Sequence, residues 1–262
     1  MNRIDAKFRE LKRENKKAFI AFITAGYPNL NITEKLILKF AEVGVDIIEL
    51  GVPFSDPMAD GPIIQEASQA ALKKKVHLVD ILNLVKRARR AVDLPICLMT
   101  YYNPIFCFGE NRFIKWAKNC GVDGVIIPDL PPEEGRALIK SANKSGIDVI
   151  YFISPTTSLE RARFITKLAK GFIYYVSLTG VTGARKALPV DLIDNLKKIN
   201  KITAKPVCVG FGVSSPKQVK EIYKVASGAI VGSAIVDKIK ENIGSPDLVK
   251  RVGKFVSWLR DV

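Results

Sequence analysis

Two acids stand on either side of one loop in the stretch 47–62, IIELGVPFSDPMADGP. Glu49 falls in an apolar run, VDIIEL, that reads as a buried strand, so a carboxylate occupies a place where a chain normally carries Leu or Val. A buried acid without a partner is costly and persists mainly where its raised proton affinity is used. Asp60 follows on a segment punctuated by Gly51, Pro53, Pro57 and Gly61. One carboxyl group on a rigid strand and another on a loop that can close suit proton transfer.

Other chemistries find less support. None of the eight strand candidates described below contains a Lys, which disfavours an aldolase working through a strand Schiff base. The only histidine, His77, sits in the connection LKKKVHLVD and reads as a helix-capping or surface residue, so no metal site is expected. Cys97, Cys107, Cys120 and Cys208 share no CxxC spacing, and three of them lie in or beside apolar runs. That usage suggests reduced thiols in a cytoplasmic protein. No apolar run reaches the length of a membrane span, and the N-terminal MNRIDAKFRELKRENKK mixes acids with its bases, unlike a targeting peptide.

A formal charge of +15 raises the question of nucleic acid. The bases are spread over helix after helix with apolar residues at helical spacing between them, which is the pattern of solvated faces. Without a recognised module or aromatic–basic interleaving, no nucleic-acid partner is expected, and attraction of an anionic substrate or an acidic protein surface is the simpler account.

The elements that must position the acids alternate regularly. Apolar runs AFITAG, VDIIELG, ICLMTY, GVIIPD, DVIYFIS, FIYYVS, VCVGFG and GAIVGS are separated by longer amphipathic segments. Continuous apolar strands with helical crossovers predict a parallel sheet, and eight repeats predict a closed (β/α)₈ TIM barrel. Extra short helices are predicted at the N-terminus, after strand 2 and after strand 8. Gly44, Gly121, Gly146, Gly171 and Gly228 read as helix C-caps. No Ser/Gly-rich linker divides the chain, so residues 1–262 are expected to form a single domain.

In such a barrel the chemistry gathers at the C-terminal ends of the strands. GFGVSS (210–215) and GSAIVDKI (232–239) follow strands 7 and 8, where backbone N–H groups and a helix N-terminus can hold a phosphate. Gly212, Gly232 and Ser233 would let the backbone approach the oxyanion, and LTGVTGA (178–184) adds Gly180 and Gly183.

ELGVPFSDPMADGP, together with TYYNP (100–104), PDLPPEE (128–134), SLTGVTGAR (177–185), GFGVSS and VGSAIV (231–236), resembles the tryptophan synthase alpha chain family over essentially the whole sequence. The resemblance implies a (β/α)₈ barrel that cleaves indole-3-glycerol phosphate to indole and glyceraldehyde 3-phosphate by a retro-aldol reaction. It implies no cofactor in this chain, and a pyridoxal-phosphate beta subunit as partner in an α2β2 complex, receiving indole through a tunnel. By the same resemblance Glu49 is the acid/base carboxylate, Asp60 the second catalytic carboxylate, and Tyr174 the tyrosine that orients Glu49. Tyr175 should then point the other way, because adjacent strand residues alternate. Phe22, Tyr102, Ile127, Ile153 and Phe211 would line the indole pocket, with Thr182 and Gly183 among the substrate contacts. One departure is Leu178, where some members of the family carry Arg.

Two other readings share these residues: a stand-alone lyase that releases free indole, and a vestigial barrel serving only as a binding subunit. Intact Glu49, Asp60 and glycine loops argue against the second. For docking, the rigid loop 52–60 with Asp56 turned outward, and Ile105, Phe106 and Phe108 in NPIFCFG, are expected to form an exposed, partly apolar edge at the barrel mouth.

Overall fold

Strands that read as unbroken apolar runs are buried on both faces, one against the barrel interior and the other against helices. A computed structural model describes residues 2–176, 191–210 and 212–262. In chain order the first half comprises α1 (Arg3–Arg13), β1 (Ala18–Thr24), α2 (Leu30–Glu42), β2 (Ile47–Gly51), α3 (Pro62–Lys73), α4 (Leu78–Ala88), β3 (Ile96–Met99), α5 (Tyr102–Phe108), α6 (Glu110–Cys120) and β4 (Gly124–Ile126). The second half comprises α7 (Arg136–Ser145), β5 (Asp148–Ile153), α8 (Leu159–Leu168), β6 (Ile173–Val176), α9 (Leu192–Asn200), β7 (Val207–Gly210), α10 (Pro216–Tyr223), β8 (Gly228–Val231), α11 (Ser233–Glu241) and α12 (Leu248–Arg260). Every strand pairs in parallel with its sequence neighbours, and β8 returns to β1, with Ile20 opposite Ile230, to close the barrel.

Alternate residues divide the core in two. Ile20, Ile47, Cys97, Ile126, Ile150, Cys208 and Ile230 fill the barrel, where they meet Ile4, Phe8 and Leu11 of α1. The intervening residues, among them Ile48, Leu98, Val125 and Val209, pack outward against the helices. The amphipathic α1 therefore plugs the N-terminal end, leaving the other end for chemistry. Polar bonds fix the plug: Asn2 Nδ2 donates to the carbonyls of Asp123 (2.7 Å) and Gly146 (3.0 Å), and Arg3 Nη1 to Asp123 Oδ1 (3.0 Å). The buried Asp123 also holds Arg89 and the Ile96 N–H.

The extra helices at the N-terminus, after β2 and after β8 stand where the sequence predicts them. Three expectations need correction. The segment after β3 forms a further helix, α5, beyond the extra helices predicted at the N-terminus, after strand 2 and after strand 8. Its Pro104 falls in the first turn, where the missing N–H costs nothing, and the Asp129 carboxylate accepts from Tyr102 N at 2.9 and 3.1 Å. Ile105 of this helix is fully buried, and Phe108 packs on Trp116 with Arg112 over its ring, leaving Phe106 as the exposed apolar residue of the three. Finally, Gly121 and Gly146 are left-handed C-caps as expected, but Gly228 opens β8, where a Cβ would lie 2.7 Å from the Ala18 carbonyl oxygen. Among the described residues no helix is long and apolar enough to cross a membrane.

Candidate active site

A cavity of about 400 Å³ opens at the C-terminal end of the barrel. Its apolar wall comes from Phe22, Ile64, Met99, Phe152, Val213 and Ile230, with Pro128 above β4. Asp60, Tyr174 and Ser154 supply polar groups, and Gly210, Gly212, Gly232 and Ser233 form the side of β7 and β8. Thr182, Gly183, Phe211 and Leu178 lie outside the described residues.

Strand parity decides which sequence candidates reach this cavity. Phe22 and Tyr174 do. Ile127 and Ile153 do not: each lies one residue out of phase and packs between strand and helix, while their inward neighbours Ile126 and Phe152 take the barrel side. Tyr102 is displaced for the same reason. It starts α5, and its hydroxyl donates to Glu110 Oε1 at 2.9 Å, away from the cavity. Of the two adjacent tyrosines it is Tyr101, passed over in the sequence, that turns to the site, through its hydroxyl on Asp60. Counting inward positions from Cys97 through Met99 arrives at Tyr101. Tyr175, one residue from Tyr174, is buried in the outer layer as the alternation requires.

Tyr101 holds the loop after β2 in place. Its ring stacks on Phe54 with centroids 5.0 Å apart, its hydroxyl accepts from Ala59 N at 2.9 Å, and it donates to Asp60 Oδ2 at 3.2 Å. Asp60 directly precedes Gly61, the N-cap of α3, and its carbonyl accepts from Gln65 Nε2 at 2.9 Å. Burial raises the Asp60 carboxyl to about 6, and the Tyr101 hydroxyl works in the opposite direction.

Glu49 sits in mid-strand, two residues short of the end of β2, and is wholly buried. Neither carboxyl oxygen has a hydrogen-bond partner among the described residues. Desolvation lifts its pKa to about 8. Its neighbours in register are Phe22 on β1 and Cys97 on β3. The Tyr174 hydroxyl is pushed well up by burial and then by the charges of Glu49 and Asp60, so the phenol stays protonated between the two acids. Gly210 makes room for that ring: a Cβ there would come within 2.5 Å of the Tyr174 oxygen. On the far side, α11 begins at Ser233 with Gly232 as its N-cap and no side chain filling the cap, which leaves backbone N–H groups facing the cavity.

One apolar cavity is therefore lined by the Asp60 carboxyl and an open helix N-terminus, with the buried Glu49 carboxyl of higher proton affinity close by on β2. A family model described as tryptophan synthase alpha chain matches residues 8–257. The chain belongs to the tryptophan synthase alpha chain family. The alpha chain of Thermoanaerobacter pseudethanolicus is 46% identical over 262 residues, covering 100% of both chains. That of Geobacter sulfurreducens is 48% identical over 261 residues, 100% of this chain and 98% of the other. Among solved structures, tryptophan synthase subunit alpha from Legionella pneumophila str. Paris superposes with a TM-score of 0.93 at 39% identity, covering 100% of this chain and 98% of that one. Mycobacterium tuberculosis tryptophan synthase gives 0.90 at 33% identity over 99% and 98%. As an alpha chain of tryptophan synthase, the protein is a carbon–carbon lyase of tryptophan biosynthesis. It releases indole and glyceraldehyde 3-phosphate from indole-3-glycerol phosphate and pairs with a beta subunit, to which pyridoxal phosphate belongs.

Proposed function

We propose that Glu49 and Asp60 divide the alpha reaction between them, one as proton carrier and one as anion. Breaking the bond from indole C3 to the glycerol carbon first requires a proton on C3, which turns the ring into an iminium-like cation. The glycerol hydroxyl then loses its proton as the aldehyde forms, and the bonding pair returns to the ring. Glu49 is protonated at neutral pH and can give the first proton and recover the second. Asp60, ionised under the same conditions, accepts from the indole N–H and stabilises the developing positive charge. The observation that carries this reading is the buried, unpartnered Glu49 carboxyl in mid-strand beside an apolar cavity.

The substrate phosphate fits the β7–β8 side, against Gly212, Gly232, Ser233 and the N-terminus of α11. The indole then lies toward Phe22, Met99 and Phe152, within reach of Asp60. Met58 and Phe106 are 84% and 64% exposed near the mouth, and with Asp56 they form the face on which the beta subunit docks, as one α2β2 assembly. The chain works as one domain in the cytoplasm, in keeping with its four free cysteines.

The pH dependence of kcat/KM tests the division of labour. A bell is expected, rising as Asp60 loses its proton near pH 6 and falling as Glu49 loses its proton near pH 8. Asp60→Asn should remove the acidic limb and cost about 10²-fold or more in turnover. A profile flat from pH 5 to 9 in the parent overturns the assignment.

A further inference from the structure

Glu49 does not line the cavity, whereas its partner in register, Phe22, does. The two are partners in register on adjacent strands and share the inward parity. Gly51 is the next inward residue after Glu49 on β2, on the cavity side. A Cβ at Gly51 would lie 2.6 Å from Phe22 Cζ and 2.8 Å from Cε2, so the tip of the ring occupies the inward space at Gly51, one inward position beyond Glu49. The base of the ring rests on β8, where a Cβ at Gly232 would lie 3.2 Å from Cδ1. Phe22 itself lines the cavity, while Glu49 has no exposed surface.

We propose that Phe22, seated on Gly51, is a positioning residue for Glu49: its ring covers the carboxyl group and keeps cavity water away from it. The inference rests on Glu49 being the proton carrier of the alpha reaction. A dry carboxyl group holds its proton at neutral pH and delivers it to a substrate ring that enters from above. The titratable groups around Glu49 are Cys97 on β3, Tyr174 on β6 and Cys208 on β7, all with proton affinities raised by burial, and Asp60 on the cavity wall. The first three stay neutral between pH 6 and 9, so exclusion of water is the main lever on the acid there.

The experiment follows the Glu49 carboxyl directly, by carbon NMR of glutamate-labelled protein with the signal assigned through its loss in Glu49→Gln. In the parent the signal should titrate near 8. Phe22→Ala admits water and should lower the titration midpoint by one unit or more, a tenfold or greater loss of proton affinity. Gly51→Ala, whose added methyl drives the ring off its seat, should lower it in the same direction. Phe22→Leu, which keeps an apolar cover, should stay close to the parent. The basic limb of kcat/KM should move with the NMR midpoint. An unmoved Glu49 titration in folded Phe22→Ala or Gly51→Ala overturns the inference. If the titration moves but the basic limb of kcat/KM does not, the cover stands and the role given to Glu49 fails.

Discussion

Glu49 and Asp60 carry the same functional group, and their surroundings alone separate their proton affinities, as the proposed division of labour requires. Among the described residues Glu49 has no hydrogen bond and no exposed surface, whereas Asp60 accepts a hydrogen bond from the Tyr101 hydroxyl and faces the cavity. A hydrogen bond to a carboxylate favours its ionised form. Tyr101→Phe should therefore raise the acidic limb of the pH–rate profile and lower turnover by about tenfold, the equivalent of about 1.4 kcal/mol. An unchanged acidic limb in this variant would show that Tyr101 only packs. Glu49 was legible in the sequence because a carboxylate inside an apolar run contradicts its setting, and Asp60 because it stands on the glycine- and proline-punctuated loop that follows. Tyr101 was not, since at the end of a strand two adjacent tyrosines look alike until the inward count is made from Cys97. The same one-residue phase error explains Ile127 and Ile153.

At the scale of elements, the repeating pattern of apolar run and amphipathic helix was enough to place all eight strands and the helices that cover them. It failed at α5, because the cap that starts this helix comes from Asp129, 27 residues later, and no local signal announces it. The proposed phosphate side depends on an element end in another way. Partial positive charge and free N–H groups at the start of α11 attract an anion only if nothing negative is already there. Ser233→Asp and Gly212→Asp each place a carboxylate in that space. Each should raise KM for indole-3-glycerol phosphate by tenfold or more, about 1.4 kcal/mol of binding, with the melting temperature nearly unchanged. Parent-like KM in both would move the phosphate to another part of the cavity.

Over the whole molecule, the barrel is plugged at one end by α1 and open at the other, so substrate must enter at the open end, which the proposed docking face borders. The sequence reading overcounted the exposed apolar residues of that proposed face. Ile105 belongs to the core, and Phe108 is covered by Trp116 and Arg112, contacts that join α5 to α6 and cannot be read from a seven-residue window. Asp56→Ala and Phe106→Ala should accordingly weaken association with a beta subunit about tenfold or more in a titration calorimeter and reduce its stimulation of lyase turnover. Phe108→Ala should instead lower thermal stability. If Phe108→Ala weakens association while Phe106→Ala leaves it intact, the docking face is wrongly drawn.

All three scales converge on one proton. The direct measurement is single-turnover cleavage of indole-3-glycerol phosphate by Glu49→Gln, with substrate affinity determined separately by calorimetry. The amide preserves the shape of the buried side chain and carries no transferable proton, so turnover should fall by about 10³-fold or more while affinity stays within a few-fold of the parent. A folded Glu49→Gln protein that cleaves the substrate at near-parental rate would contradict the account.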